Sequence, residues 1–478
     1  MAASRVLPGV GREGSDSRGV RADLVVVALP GVQRFLEEAR STSDVSVASG
    51  IFSALAGRIV DSLGAEPGGQ LVLPVRQAVP PESDVPPSGQ DGELGLPNRV
   101  VALLPPGSGA AAARRASDAV HEAWQGWVRQ VLRPGPGDPR PQTPGFPRVC
   151  WVCVPERPGG YEAQWQQAQQ LLAARRRIRD FAAVPEEDWR QRVLCSQAPR
   201  WPAERKAPPG VPPYERRTPL SAVGWVKHRC RYIGEASGFP STASIASAPY
   251  RRAVLRRLAD PEVSAAVRDL DQARQAVEDV LGSSGRETPV PGLEAVTPAG
   301  GPGVWLARSG GPWMYPEQWR PETLTREADA DPARGGPEQA TRFERAVRDG
   351  YQAARRLREL MARSGREAPP LASYLAVVVQ DLDSMGLFLS GRADAASGQK
   401  IGIDPNDHGR VSRDLLLVAQ RQSDVLKIGE LLAVPVYAGG DDLLAFAPAS
   451  TAIDAAQACH AEIPPTLPHV NSHRPAIK

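Results

Sequence analysis

Lysine is almost missing from this chain. Only Lys206, Lys227, Lys400, Lys427 and Lys478 occur among 478 residues, so nearly all the positive charge is arginine. With 48 prolines and 45 glycines, that bias reads as GC-rich coding rather than a basic binding surface. The net charge of +3 is too small for this length to imply nucleic-acid binding by itself. Cysteine is scarce as well. Five in the whole chain leave no disulfide framework, which fits a reducing cytosol, and a cytoplasmic location is expected. No apolar run approaches the ~18 residues of a membrane-spanning helix. The run 24–32 is short and follows a charged, Gly-rich leader, so neither a membrane association nor a signal peptide is expected. The sequence has no GxxxxGK phosphate loop and no Ser/His/Asp nucleophile set, which removes P-loop and serine-hydrolase chemistry. Hydrophobic residues at 41% and charged residues at 23% predict a globular chain with room for several domains.

What is present is a repeated pattern. Residues 1–21 read as a disordered leader. Residues 23–29 read as a strand, 33–40 and 47–63 as helices with a Ser/Thr-rich break between them, and 70–75 as a strand. A polar, Pro-rich loop over 76–97 leads to a strand at 99–104, a helix at 110–132 and a strand at 149–154. A similar order starts again near 374, with a strand at 374–380, a mostly helical 411–432, strands at 434–437 and 443–447, and a helix at 451–461. The expected fold class is α+β: two ferredoxin-like (palm) domains joined by a mostly helical region. The divisions are a leader at 1–21, a first palm at 22–183, a helical and linker region with Pro-rich loops at 184–336, a second palm at 337–463 and an unstructured tail at 464–478. No fourth strand is visible in the second palm, which is expected to be incomplete, leaving one strand edge of its sheet open.

Two acidic motifs end strand-like runs. The run 375–380 leads into Asp381-Leu382-Asp383, and the run 434–438 leads into Gly439-Gly440-Asp441-Asp442. In a βαββαβ palm the first and third strands are antiparallel neighbours, so the end of one lies beside the start of the other. Side chains at i and i+2 share a face, and Asp381 and Asp383 can therefore converge. Asp441 and Asp442 arrive from the neighbouring strand. Gly439 and Gly440 allow a tight hairpin and put no side chain in the way of a triphosphate. Carboxylates this close repel unless cations neutralise them. Mg²⁺ or Mn²⁺ suits all-oxygen ligands and also takes phosphate oxygens. Two such ions, ~4 Å apart, activate a 3′-hydroxyl and stabilise leaving pyrophosphate. The pattern of four clustered carboxylates, Asp381, Asp383, Asp441 and Asp442, points to a metal site for nucleotidyl transfer.

The segments 379–391 and 436–446 resemble the second palm of the large subunit of type III CRISPR effector complexes, most closely the type III-B (Cmr) form. The stretches 29–40, 95–103 and 239–249 resemble that subunit's first palm and central helical region, and the resemblance runs from about 22 to 450. It implies conversion of ATP to cyclic oligoadenylate when the complex binds target RNA through its guide. It implies two Mg²⁺ or Mn²⁺ ions as cofactors, ATP as substrate, and the other type III-B subunits, guide RNA and target RNA as partners. By position, Asp381, Asp441 and Asp442 would be catalytic, Asp381, Asp383, Asp441 and Asp442 would hold the metals, Met385, Gly386 and Ser390 would lie near the nucleotide, and Gly439 and Gly440 would leave room for the triphosphate. Lys427 reads as a solvated helix-end lysine, with a phosphate contact as the alternative. Many members of the family carry an HD nuclease domain; no His-Asp dipeptide occurs here, so no such nuclease is expected. Leu29-Pro30 stands in the first palm where the second has its acids, so the first palm should be structural and non-catalytic. The stretch 464–478 resembles nothing in the family. Two other readings stay open: an inactive, truncated scaffold subunit, and a GGDEF-like cyclic dinucleotide cyclase using GTP.

Cys150 and Cys153 have CxxC spacing, but within a strand i and i+3 point to opposite faces, so core packing is expected. Cys195 has no nearby partner in sequence for zinc. Arg342, Arg345, Arg348, Arg355, Arg356 and Arg358 line a predicted helix over 338–364; acids are mixed among them, and a solvated face is the reading adopted over an RNA surface.

Overall fold

A computed structural model of the chain describes residues 22–75, 96–135, 143, 145–178, 193–211, 213–229, 239–282, 288–293, 301, 303–328, 330–363, 368–382, 385–391, 402–439, 441–463 and 476–477. It is α+β, with two four-stranded antiparallel sheets.

The first sheet holds β1 (Asp23–Ala28), β2 (Gln70–Leu73), β3 (Arg99–Leu104) and β4 (Cys150–Val154), in the order β2-β3-β1-β4. This is the palm order, with β1 paired antiparallel to β3 and β4. Helices α1 (Val32–Glu37), α2 (Thr42–Gly64) and α3 (Gly109–Leu132) accompany it, and α4 (Gly160–Arg177) follows. All six residues of β1 are buried. Val25 and Val27 meet Ile51, Leu55 and Trp124 on one face, and Leu24, Val26 and Ala28 meet Trp165 and Leu172 of α4 on the other. Burial on both faces explains why the strand reads as an unbroken apolar run.

Helix α2 starts earlier than the Ser/Thr-rich break predicted. Ser41 is its N-cap, accepting the Asp44 N–H at 3.1 Å, so that cluster starts a helix rather than interrupting one. Among the described residues α2 is the helix long and apolar enough to cross a membrane, yet most of it is buried in the first palm's core. That core continues past residue 183: Cys195, Trp201, Val211 and Trp225 belong to it. Cys150 and Cys153 fall on opposite sides of the sheet, as strand geometry requires.

The connecting region is helical, with α5 (Ala222–Arg229), α6 (Thr242–Arg256), α7 (Pro261–Leu281) and α8 (Pro337–Ala362). The apolar stripes of α7 and α8 share one core. Most of the arginines on the outer face of α8 are paired: Arg342 with Asp279, Arg348 with Asp349, Arg355 with Glu359, Arg356 with Asp269 and Arg358 with Glu317. The helix is a solvated, ion-paired surface. The connecting core also reaches the second sheet, where Phe239 meets Phe446 edge to face at 5.9 Å.

The second sheet holds β5 (Leu375–Asp381), β6 (Val434–Gly439), β7 (Asp442–Pro448) and β8 (Ala476–Ile477), in the order β6-β7-β5-β8. Helices α9 (Pro405–Leu426) and α10 (Ala452–Ala461) cover one face. β8 is the fourth strand that the sequence did not show; of the stretch 464–478 only 476–477 are among the described residues. β8 pairs with the end of β5, Gln380 opposite Ile477 and Asp381 opposite Ala476. Two residues carry no periodicity, so nothing in the Pro-rich tail could have signalled a strand.

Candidate active site at the strand ends of the second palm

Asp381 closes β5 and Asp442 opens β7, and the two are direct register partners across the antiparallel pair. Asp441 precedes Asp442, and its carbonyl accepts the Leu382 N–H at 2.9 Å. Gly439 ends β6 opposite Asp442. The predicted meeting of strand ends therefore holds for Asp381, Asp441, Asp442 and Gly439. Asp383 and Gly440 lie outside the described residues.

The acids are coupled electrostatically. Asp441 is pushed above the usual carboxylate range by burial and by the Asp381 charge, partly opposed by its own backbone N–H and by Arg99. Asp442 is raised from its ordinary 3.8 to about 7 by the protein packed around it, by the charges of Asp441 and Asp381, and by a side-chain hydrogen bond with Asp381. Tyr437 beside them is raised by burial and by the same two acids, Asp442 and Asp441.

A buried polar lattice holds the strand end from behind. Gln380 Nε2 donates to the Ala456 carbonyl at 3.1 Å. Gln422 Nε2 donates to Gln380 Oε1 at 3.0 Å and to the Cys459 carbonyl at 3.1 Å. These groups tie β5 to α9 and α10, and a small cavity between them is lined by Gln380, Asp381, Gln422 and Asp441. From the first palm, Arg99 stands in electrostatic reach of Asp441 while donating to Gln169 Oε1 at 3.1 Å.

The turn after β5 places the remaining candidates. Met385 is buried with Leu382, Phe388 and Val411, so its side chain faces the core. Gly386 is exposed with open space around it. The Ser390 hydroxyl donates to the Gly386 carbonyl at 2.8 Å. Lys427 is an exposed C-cap of α9. Arg99, Gln380 and Gln422 are the site's unforeseen members. A lone arginine at a strand start and two glutamines carry no motif, so the sequence held no signal for them.

Among the described residues, no three His, Cys, Asp or Glu side chains form a ready-made cation site. The donor set still fits a hard divalent ion. It is all oxygen, and Asp381 and Asp442 are register partners on one face of the sheet. Mg²⁺ is commonly held by one or two carboxylates, with waters and substrate phosphates completing the shell.

Residues 374–474 match the family model described as Cas10/Cmr2, second palm domain. Residues 24–129 match that of CRISPR-associated protein Cmr2, N-terminal. The first match runs past 450 through most of the tail, where no resemblance was expected. Among solved structures, the chain is similar to a cryo-EM structure of a type III-B Cmr-beta assembly in the apo state, at 12% identity and TM-score 0.47, covering 92% of this chain and 61% of that one. It is also similar to the type III-B Cmr-beta bound to cognate target RNA, at 13% identity and TM-score 0.50, covering 93% of this chain and 62% of that one. The chain thus spans about three fifths of the length of those chains. No curated protein matches it.

Proposed function

We propose that this chain, which carries a Cmr2 N-terminal domain and a Cas10/Cmr2 second palm domain, is the large subunit of a type III-B CRISPR effector complex and a metal-dependent nucleotidyltransferase. Its substrate in this reading is ATP and its product cyclic oligoadenylate, made when guide RNA in the complex pairs with target RNA. The observation that carries the reading is the strand register that brings Asp381 opposite Asp442 with Asp441 adjacent. The similar Cmr-beta assembly bound to target RNA supports RNA and sister subunits as partners.

The residues divide the work. Asp442, raised to about 7 beside Asp441 and Asp381, gives up its proton when a divalent ion arrives. Asp441, raised by burial, supplies a further carboxylate beside it. The ions, Mg²⁺ or Mn²⁺, would activate the attacking 3′-hydroxyl and stabilise leaving pyrophosphate. Gly439 contributes no side chain at the mouth of the site, leaving the approach of a triphosphate open.

The test is ATP conversion by the chain assembled with its partner subunits and target RNA, beside the Asp441→Ala/Asp442→Ala variant and with GTP in a parallel arm. Oligoadenylate from wild type and none from the variant supports the reading. Turnover of GTP alone would favour a cyclic dinucleotide cyclase. A second reading is an inactive scaffold; no product under any condition would support it.

A further inference from the structure

His408 lies on α9 and is completely buried. Its Nε2 stands 2.9 Å from the Leu389 carbonyl, and its Nδ1 stands 2.8 Å from the Tyr161 hydroxyl. A carbonyl only accepts, so Nε2 carries the hydrogen, and Nδ1 must then accept from Tyr161. The ring is neutral and both nitrogens are satisfied. Trp165, one turn beyond Tyr161 on α4, lies against the imidazole at 4.2 Å between ring centres. Four residues beyond His408, Ser412 Oγ accepts the Val75 N–H at 2.9 Å. The i, i+4 spacing puts His408 and Ser412 on one face of α9, and both bond to the first palm.

The other partner, Leu389, belongs to the turn that follows the acid-bearing end of β5. Its side chain packs against the first palm's core beside Trp165 and Leu172 and against Leu382, Met385 and Phe388 of its own segment. The turn is closed by hydrogen bonds in which the Leu389, Ser390 and Gly391 N–H groups donate to the Met385, Leu387 and Phe388 carbonyls at 2.9, 3.0 and 2.9 Å. Leu382 directly follows Asp381. A continuous line of contacts therefore runs from the first palm through one imidazole to the turn beside the acids.

We propose that His408 is a positioning residue through which the first palm sets the 385–391 turn next to the Asp381–Asp442 pair. The first palm is then part of the machinery that shapes the nucleotide site, although it lacks the acids itself. Burial also keeps the imidazole neutral, against the pull of the Leu389 carbonyl and of Asp404 and Asp407 at the start of its own helix. The nucleotide part of this inference rests on the function proposed above; the coupling of His408 to the turn does not.

Hydrogen–deuterium exchange on the full chain tests the coupling without any need for turnover. His408→Ala should speed exchange at the Leu389, Ser390 and Gly391 amides by roughly tenfold, and Tyr161→Phe, which removes one hydroxyl, by roughly fivefold. His408→Gln keeps a donor for Leu389 and an acceptor for Tyr161, and should restore most of the protection. Should His408→Ala fail to fold, Tyr161→Phe decides. Unchanged exchange at 389–391, or acceleration spread equally over all of α4 and α9, would overturn the proposal. Affinity for Mg·ATP should fall in the same order across the variants. Lost protection in a chain that never binds or turns over ATP would keep the coupling and sink the catalytic reading instead.

Discussion

Asp381 and Asp442 are direct register partners across β5 and β7, the end of one strand facing the start of the other. Two carboxyls in that relation repel when both are charged, and a proton or a cation relieves the repulsion. The consequences can be measured in stability as well as in activity.

Asp442 is raised from 3.8 to about 7 in the folded chain. A carboxyl raised on folding favours the protonated form, so its contribution to stability is full below its unfolded value and is lost as pH rises through about 7. Thermal unfolding of metal-free protein should show that loss, and Asp442→Asn should flatten it. Mg²⁺ or Mn²⁺ should raise Tm more above pH 7 than near pH 5, since protons compete for the same oxygens. Equal metal effects at both pH values would contradict a shared site.

Gln422 gives hydrogen bonds to Gln380 and to the Cys459 carbonyl in a buried setting. Gln422→Ala leaves both acceptors without that donor, at a cost of about 1–3 kcal/mol, read by urea unfolding. Because Gln380 precedes Asp381, the variant should also weaken divalent-ion binding. Full stability in Gln422→Ala would mean the lattice does not hold the strand end.

His228 sits buried between Asp44 and Glu215, with contacts of 3.0 and 2.9 Å. The two acids come from the start of α2 and from the connector, so the ring joins the first palm to the segment after it. Removing it with His228→Ala leaves two buried carboxylates facing each other, costing about 3–5 kcal/mol. Chemical denaturation would register the loss, and a change under 1 kcal/mol would show that the cluster adds little.

Gly350 on α8 lies against the Trp319 ring so closely that a Cβ would overlap it. Despite alanine's better helix propensity, Gly350→Ala should destabilise by about 1–3 kcal/mol through overpacking. A rise in Tm would contradict the packing of this helix.

Much of the site was legible because its signals are local. The unbroken run ending at Asp381 and the Gly439-Gly440 turn each announce a strand end, and the palm order alone brings them together. The unbroken apolar β1 was equally plain. Other features depend on contacts distant in the chain. Tyr161 and His408 are 247 positions apart, and no pattern in either helix points to the other. β8 is too short to show a period. Ser41 caps a helix where the composition suggests a break, because caps and breaks use the same residue types. Met385, placed near the nucleotide by resemblance, turns its side chain into the core because the turn also needs an apolar anchor.

Under the proposed function, Asp381, Asp441 and Asp442 hold a catalytic divalent ion. Electron paramagnetic resonance of Mn²⁺ titrated into the chain with ATP measures this directly. Wild type should give a bound-ion signal, and Asp381→Asn and Asp441→Asn should each abolish it while the protein stays folded. Equal binding by wild type and both variants would contradict the account.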